Sequence, residues 1–237
     1  MDPTAWRELA AGLAPDTEIA ALIGVLERAR GGEGARTVID VGGGTGLLTR
    51  AIATRFGRCV VVEPSAAQVA GLPSGLVAVR GRAEDLPIAD KAADGAIATW
   101  VLQYCDDPMR AVAELARVVG ERGVVAIVQA APDNDLVDIY NDEARIAGEA
   151  PAHHGFLLAG AADVLARAGF VVSMEKIEIT LRASQDASAI ADTLSRLHFT
   201  GHPRRPAMIE ATVARIASAI AQRGYLRDHG VLLTGRS

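Results

Sequence analysis

Lysine is nearly missing from this 237-residue chain: Lys91 and Lys176 are the only two, and arginine supplies the rest of the 24 basic residues. Aromatic residues are scarce, at 4 %. There is no excess of positive charge either. The balance is −5 at pH 7, so no broad cationic face is expected to collect nucleic-acid phosphates. Arg204 and Arg205 beside Pro203 form the one conspicuous basic pair and read as a solvated loop. No apolar run reaches the roughly 20 residues that span a bilayer, so no membrane segment is expected. Met1-Asp2-Pro3 is acidic, unlike the basic opening of a secretory leader. Cysteine is limited to Cys59 and Cys105, far apart, which suggests neither a disulfide framework nor a thiolate metal cluster and points to a reducing cytoplasm.

What the chain has in quantity is apolar residues, 50 % of the total, cut into short runs that alternate with helical stretches. Strands are expected at 37–42, 58–63, 76–80, 94–99 and 123–130, and helices at 17–30, 45–56, 65–71 and 108–119. Pro108 after Asp107 suits a first helical turn. Such alternation implies a parallel sheet with helices on both faces and right-handed crossovers.

The most informative stretch is Thr37-Val38-Ile39-Asp40-Val41-Gly42-Gly43-Gly44-Thr45-Gly46. An apolar strand ends in an acid, and glycines follow where the chain must turn into a helix. Glycine has no Cβ, so such a turn accepts positive φ and lets a ligand lie against bare main chain. A tight strand-to-helix turn would also want glycine for its own sake. The second run, Cys59-Val60-Val61-Val62-Glu63-Pro64, decides between them. It ends in a carboxylate about 20 residues beyond the loop, the offset that brings an acid to a ribose diol. A nucleoside-containing cofactor is expected.

The nicotinamide fingerprint G-x-G-x-x-G does not fit, because it would need glycine at Leu47 or Thr49. The acid-x-G-x-G-x-G run instead resembles motif I of the class I S-adenosylmethionine (SAM) dependent methyltransferases. Gly81-Arg82-Ala83-Glu84-Asp85-Leu86-Pro87 is similar to that family's segment after the third strand, and Ala93 to Thr99 to its fourth strand. Trp100-Val101-Leu102-Gln103-Tyr104 resembles the stretch that follows, and Glu114 to Gly123 the approach to the fifth strand. The likeness runs from 37 to about 130 and is nearest the branch of ubiquinone/menaquinone C-methyltransferases and small-molecule methyltransferases.

The resemblance implies a doubly wound, mostly parallel, seven-stranded Rossmann-like α/β sheet with an antiparallel C-terminal hairpin and helical lid insertions. A single domain over 1–237 is expected, with its core at 37–130, 158–182 and 229–235 and a lid or cap at 131–157 and 183–227. Within these segments, helices are expected around Leu136 to Ile146, at 159–168, 185–198 and 206–223. Phe170 to Leu181 reads as one long strand, and Val231-Leu232-Leu233 as a short final one.

The resemblance also implies the site. Asp40, Gly42, Gly43, Gly44 and Gly46 would hold the methionine end of SAM, and Glu63, with Pro64, its ribose. Arg82, Ala83 and Glu84 would face the adenine, and Thr99, Trp100 and Gln103 the sulfonium side. Two departures stand out. The family's acid after the third strand is Arg82, and its paired histidines are Gln103 and Tyr104. Asp40 could instead serve only to order the loop.

The implied activity is methyl transfer from SAM to a small organic acceptor, a specialised metabolite or quinone-like compound, leaving S-adenosylhomocysteine. Alternatives are a non-catalytic SAM-binding partner or, less favoured by the glycine spacing, a nicotinamide-dependent oxidoreductase. Aligning the acceptor does most of the work in such a displacement. If the acceptor must lose a proton, His153 and His154 in the lid are the candidate bases. His198 and His202, flanking the junction between two cap helices, are weaker candidates for the base, and Tyr104, Tyr140 and His198 are candidates to touch the acceptor. No metal is expected: Asp133-Asn134 follows the fifth strand, but the fourth ends in Thr99, which leaves a hard cation short of a carboxylate.

Overall fold

The computed structural model describes residues 2–12, 16–150, 156–182 and 186–237. In chain order these form α1 (Pro3–Gly12), α2 (Asp16–Glu27), α3 (Ala29–Gly32), β1 (Thr37–Val41), α4 (Leu47–Phe56), β2 (Arg58–Glu63), α5 (Ala66–Ala70), β3 (Val77–Arg80) and β4 (Ala93–Thr99). A 3-10 turn at Leu102–Tyr104 leads to α6 (Pro108–Val118), β5 (Val119–Ala130), α7 (Asp135–Ala147), α8 (Phe156–Arg167) and β6 (Val171–Ile177). β7 (Thr180–Arg182), α9 (Ala187–Phe199), α10 (Arg205–Arg223), β8 (Tyr225–Arg227) and β9 (Gly230–Arg236) complete the chain.

Two compact units result. One holds Glu18–Gln129, Gly155–Ile177 and Val231–Ser237; the other holds Met1–Thr17, Ala130–His154 and Glu178–Gly230. The first unit carries a seven-stranded sheet in the order β3-β2-β1-β4-β5-β9-β6, ending in an antiparallel C-terminal strand pair. β1 lies parallel between β2 and β4, with Ile39 opposite Val60 and Ala96. From Val38 to Val41 no residue of β1 is more than 3 % exposed, which is why it reads as an unbroken apolar run around one acid. Ile39, Val41, Ala98, Val125 and Ile127 pack with Leu115 of α6 and Leu165 of α8 in one core. Each such large apolar side chain contributes roughly 1.5–3 kcal/mol by leaving water. Strand order reverses between β1 and β4, and ligands of open parallel sheets bind in the crevice beyond the carboxyl ends at that point.

Local signals set the helix starts. The Asp107 side chain accepts from Arg110 N (3.0 Å) with Pro108 at the first turn, and Ser65 accepts from Gln68 N (3.3 Å). The expected 17–30 helix stops at Glu27, because Arg30 and Gly31 take φ of 55° and 72°. β5 begins at Val119, earlier than expected. Its partners jump from Ala93↔Val119 to Gly95↔Val124, and Arg122 takes φ 61° in the irregular stretch.

The second unit corrects the long strand expected over Phe170 to Leu181. β6 ends at Ile177, and Thr180–Arg182 pairs antiparallel with β8, placing Leu181 opposite Leu226. The reason is burial: Ile190, Leu194, Leu197 and Ile216 gather Leu181 and Leu226 into a separate core with Leu9 and Ile139. Ile209, Val213 and Ile220 pack against that core as the helical spacing of α10 requires, and Gly224 closes the helix at φ 76°. β9 runs seven residues, well past Val231-Leu232-Leu233, with Leu232, Leu233 and Thr234 all buried. Neither α1 nor β8 was foreseen from the sequence.

Candidate functional site

The turn after β1 is built by three glycines with φ of 70° (Gly42), 53° (Gly44) and 74° (Gly46). Gly42 N donates to Val62 O at 2.8 Å, which ties the turn to the end of β2. Asp40 points into the fold. Its Oδ2 accepts the Thr49 hydroxyl of α4 at 2.5 Å, while Oδ1 is buried with no partner among the described residues. A Cβ on Gly43 would fall 2.9 Å from that Oδ2, so the Asp40–Thr49 pair itself demands glycine there. Gly44 is different: a Cβ there would meet nothing closer than 3.7 Å. There φ rather than crowding favours glycine, and the residue is partly exposed. Burial raises the Asp40 carboxyl to about 6, against the Thr49 bond that lowers it and with help from the Glu63 charge.

Glu63 ends β2 at 5 % exposure. Its Oε1 accepts from Ser65 N at 3.0 Å, and Oε2 makes no hydrogen bond among the described residues, leaving one oxygen for a ligand. Pro64, Arg80, Gly81 and Arg82 line an open depression of about 430 Å³ beyond β2 and β3. The Arg82 guanidinium is held by Glu84 (3.2 Å) and Asp106 (2.6 Å), and Asp106 N donates to Glu84 at 2.8 Å. Burial would raise the Glu84 carboxyl, but these hydrogen bonds and the Arg82 charge outweigh it and hold it below its usual value. Glu84 is therefore committed to Arg82 and its own loop. Ala83 lies between them, partly buried against the core.

Beyond β4 the chain makes an unusual corner. Thr99 closes the strand, and Trp100 takes φ 57°, a left-handed conformation that costs a side-chain-bearing residue about 1–2 kcal/mol. Three bonds hold it there: Trp100 N to Val128 O (2.9 Å), Gln103 Nε2 to Trp100 O (2.8 Å), and the indole Nε1 to Glu18 Oε1 (3.2 Å). Gln103 Oε1 and Gln129 Nε2 are buried without partners among the described residues. Backbone strain beside unsatisfied buried polar atoms is characteristic of a binding site. Tyr104, next along, is 49 % exposed.

Residues 39–127 match the methyltransferase domain family. That stretch is similar to a methyltransferase domain. An uncharacterized methyltransferase of Mycobacterium tuberculosis is 34 % identical over 105 residues, 43 % of each chain, and one of Mycobacterium avium is 35 % identical over 123 residues, 48 % of this chain and 47 % of that one. The chain thus matches less than half the length of these curated relatives. Among solved structures, the YcgJ protein of Bacillus subtilis superposes with a TM-score of 0.64 at 19 % identity, covering 94 % of this chain and 98 % of that one. The 4+2 cyclase SpnF superposes at 0.56 with 21 % identity, covering 94 % and 81 %. These structural likenesses establish the fold.

A methyltransferase domain of this kind would take SAM, and the residues present fit it. Gly44 is partly exposed, Asp40 has an orphaned carboxylate oxygen, Glu63 one with no hydrogen bond among the described residues, and Pro64, Arg80, Gly81 and Arg82 line an open depression. Two acids close enough for the Glu63 charge to raise Asp40 favour a cationic ligand such as a sulfonium amino acid, and disfavour the pyrophosphate of a dinucleotide. Among the described residues no group of three or more His, Cys, Asp or Glu side chains could hold a metal ion, and no helix is long and apolar enough to cross a membrane.

In the other unit Tyr140 and His198 meet edge to face at 4.7 Å, and Phe199 stacks on Tyr140 at 6.0 Å. His202 packs edge-on against Phe199 at 6.2 Å. His153 and His154 lie outside the described residues. Sequence reasoning missed Glu18, Asp106 and Gln129, and nothing local marks them. Glu18 reaches Trp100 from 82 positions away.

Proposed function

We propose that this chain transfers the methyl group of SAM to a small organic acceptor. The observation that supports this most directly is the pairing of a positive-φ glycine turn at Gly42, Gly44 and Gly46 with a Glu63 carboxylate oxygen that has no hydrogen bond among the described residues, at the switch point of the sheet. In this reading Asp40 and Gly42 to Gly46 receive the methionine end, Glu63 and Pro64 the ribose, and Arg82 and Ala83 the adenine. Glu84 acts through Arg82. Thr99, Trp100 and Gln103 line the sulfonium side. Tyr104, Tyr140 and His198 serve the acceptor, which we take to be a specialised metabolite or quinone-like compound, as in the branch the motifs resemble. The insertions at 131–157 and 183–227 are its acceptor-selecting part.

When bound, SAM supplies an electrophilic methyl group already activated by positive charge. The chain's own work is then to align the acceptor and exclude water, worth several kcal/mol through near-attack geometry. The Trp100 corner, held by hydrogen bonds to Glu18, Val128 and Gln103, is the part of the chain we assign to that alignment.

Calorimetric titration with SAM and S-adenosylhomocysteine tests the reading first, followed by turnover against a metabolite panel. Binding of both with turnover is expected. Binding without turnover on any acceptor would favour a SAM-binding partner, and absence of binding at millimolar ligand would refute the proposal.

A further inference from the structure

The open depression beyond β2 and β3 starts one residue past Glu63. Pro64, Arg80, Gly81 and Arg82 line it. Glu63 sits opposite Arg80 in the β2–β3 register, and Gly81 N donates to Glu63 O at 3.3 Å. All of these residues belong to the unit that also holds the glycine turn. A group held by the Glu63 carboxylate therefore has this depression beside it, at the carboxyl ends of two adjacent parallel strands.

Every polar side chain lining the depression is a donor. Proline and glycine bring no side-chain hydrogen-bonding group, and a guanidinium has five N–H donors and no acceptor. Arg80 Nε donates to Pro64 O at 3.2 Å, while its Nη1 and Nη2 make no hydrogen bond among the described residues. Arg82 commits Nη2 to Glu84 Oε1 (3.2 Å) and Asp106 Oδ2 (2.6 Å), which leaves its Nε and Nη1. Neither acid is among the residues that line the depression. Both are turned to Arg82, and Glu84 Oε1 also accepts Asp106 N at 2.8 Å. Arg80 and Arg82 against Glu84 and Asp106 leave no surplus of positive charge to gather an anion. The place suits an uncharged edge of hydrogen-bond acceptors.

Purines differ at such an edge. Adenine offers N7 as an acceptor beside a 6-amino donor, whereas a 6-oxopurine offers N7 and O6, two acceptors that a guanidinium meets together. We propose that the depression is a purine subsite that reads the base through Arg82 and does not select the 6-amino group, so that it takes a 6-oxopurine at least as well as adenine. This rests on the methyltransferase reading above, in which Glu63 holds the ribose. Adenine is still taken, because the depression is open and the amino group keeps water there. What the lining lacks is a side-chain acceptor that would favour the amino group and leave an oxo group unpaired.

Calorimetric competition between S-adenosylhomocysteine and S-inosylhomocysteine, in which oxygen replaces the 6-amino group, tests this on the whole chain. The native chain is expected to bind the inosine compound at least as tightly, within a factor of about three. Arg82→Ala should lower the inosine-to-adenosine affinity ratio on the order of fivefold or more, the worth of one bidentate pair. The Arg82 side chain is 56 % exposed, so the variant should stay folded, and its thermal unfolding checks that. Arg82→Lys keeps the charge without the paired donors and should lower the ratio as alanine does. A native ratio restored by lysine would assign the effect to charge alone and overturn the paired reading. Preference of the native chain for the adenosine compound beyond that factor would overturn the proposal, as would an unchanged ratio in folded Arg82→Ala. Each of these leaves the methyltransferase reading standing, since the adenosine compound still binds. Binding of neither compound at millimolar concentration would refute that reading and the subsite with it.

Discussion

The Thr49 hydroxyl donates to Asp40 Oδ2 across the glycine turn, 2.5 Å from helix to strand. That bond leaves Asp40 Oδ1 buried and unpaired, and burial lifts the carboxyl to about 6. A ligand bearing positive charge at the turn would favour the ionised form. SAM affinity is therefore expected to rise between pH 5 and 7, with proton release on binding, measured by titration in buffers of different ionisation heat. A pH-independent affinity with no released proton would separate Asp40 from the ligand.

Glu63 has one oxygen tied to Ser65 N and one free. Glu63→Ala is expected to weaken SAM binding by about 1–3 kcal/mol, the worth of charged hydrogen bonds to a diol. Equal affinity in a folded variant would mean the ribose lies elsewhere.

Glu143 of α7 is 1 % exposed, its Oε1 has no partner among the described residues, and burial, aided by the Asp142 charge, lifts its carboxyl to about 8. Its folded value lies above the ordinary glutamate value of 4.5, so the native state holds the proton more tightly than the unfolded chain. The contribution of Glu143 to stability is then fullest below about pH 4.5 and declines as pH rises toward 8. Glu143→Gln should flatten that decline and be the more stable form at pH 8, on the order of 2–4 kcal/mol. Urea denaturation at a series of pH values reads this directly, and parallel curves would count against it.

Asp135 has the opposite sign. Burial pushes its carboxyl up, but bonds from Arg227 Nη2 (2.8 Å), Arg227 N (2.8 Å) and Arg223 Nη2 (2.6 Å) win and hold it low. Its contribution is complete above the ordinary carboxylate range and is lost as pH falls through the depressed folded value. Asp135→Asn should cost about 3 kcal/mol at pH 7, because two guanidiniums lose their carboxylate. The native and variant stabilities should converge in strong acid; a constant gap down to pH 2 would contradict the ion-pair account.

Much of the sheet was legible because its strands are buried on both faces and read as short apolar runs, and because Asp107, Ser65 and Gly224 mark helix ends locally. The break after Ile177 was not, since Ile179 and Leu181 alternate as any half-buried strand would. Which core receives them depends on Leu226, 45 positions beyond Leu181 in the chain but opposite it across the β7–β8 pair. Arg82 was visible as a departure, whereas its capture by Glu84 and Asp106 required the corner beyond β4 to fold back.

The sequence by itself determined the alternation of strands and helices, the glycine turn and the acid at the end of β2, because each follows from what one residue permits its own backbone or from a fixed spacing along the chain. Only tertiary structure decided that Glu18 would bond to Trp100 and that Asp133 would meet His229, pairs separated by 82 and 96 positions. A hydrogen bond is felt over about 3 Å, so no local pattern records a partner that only folding brings within reach.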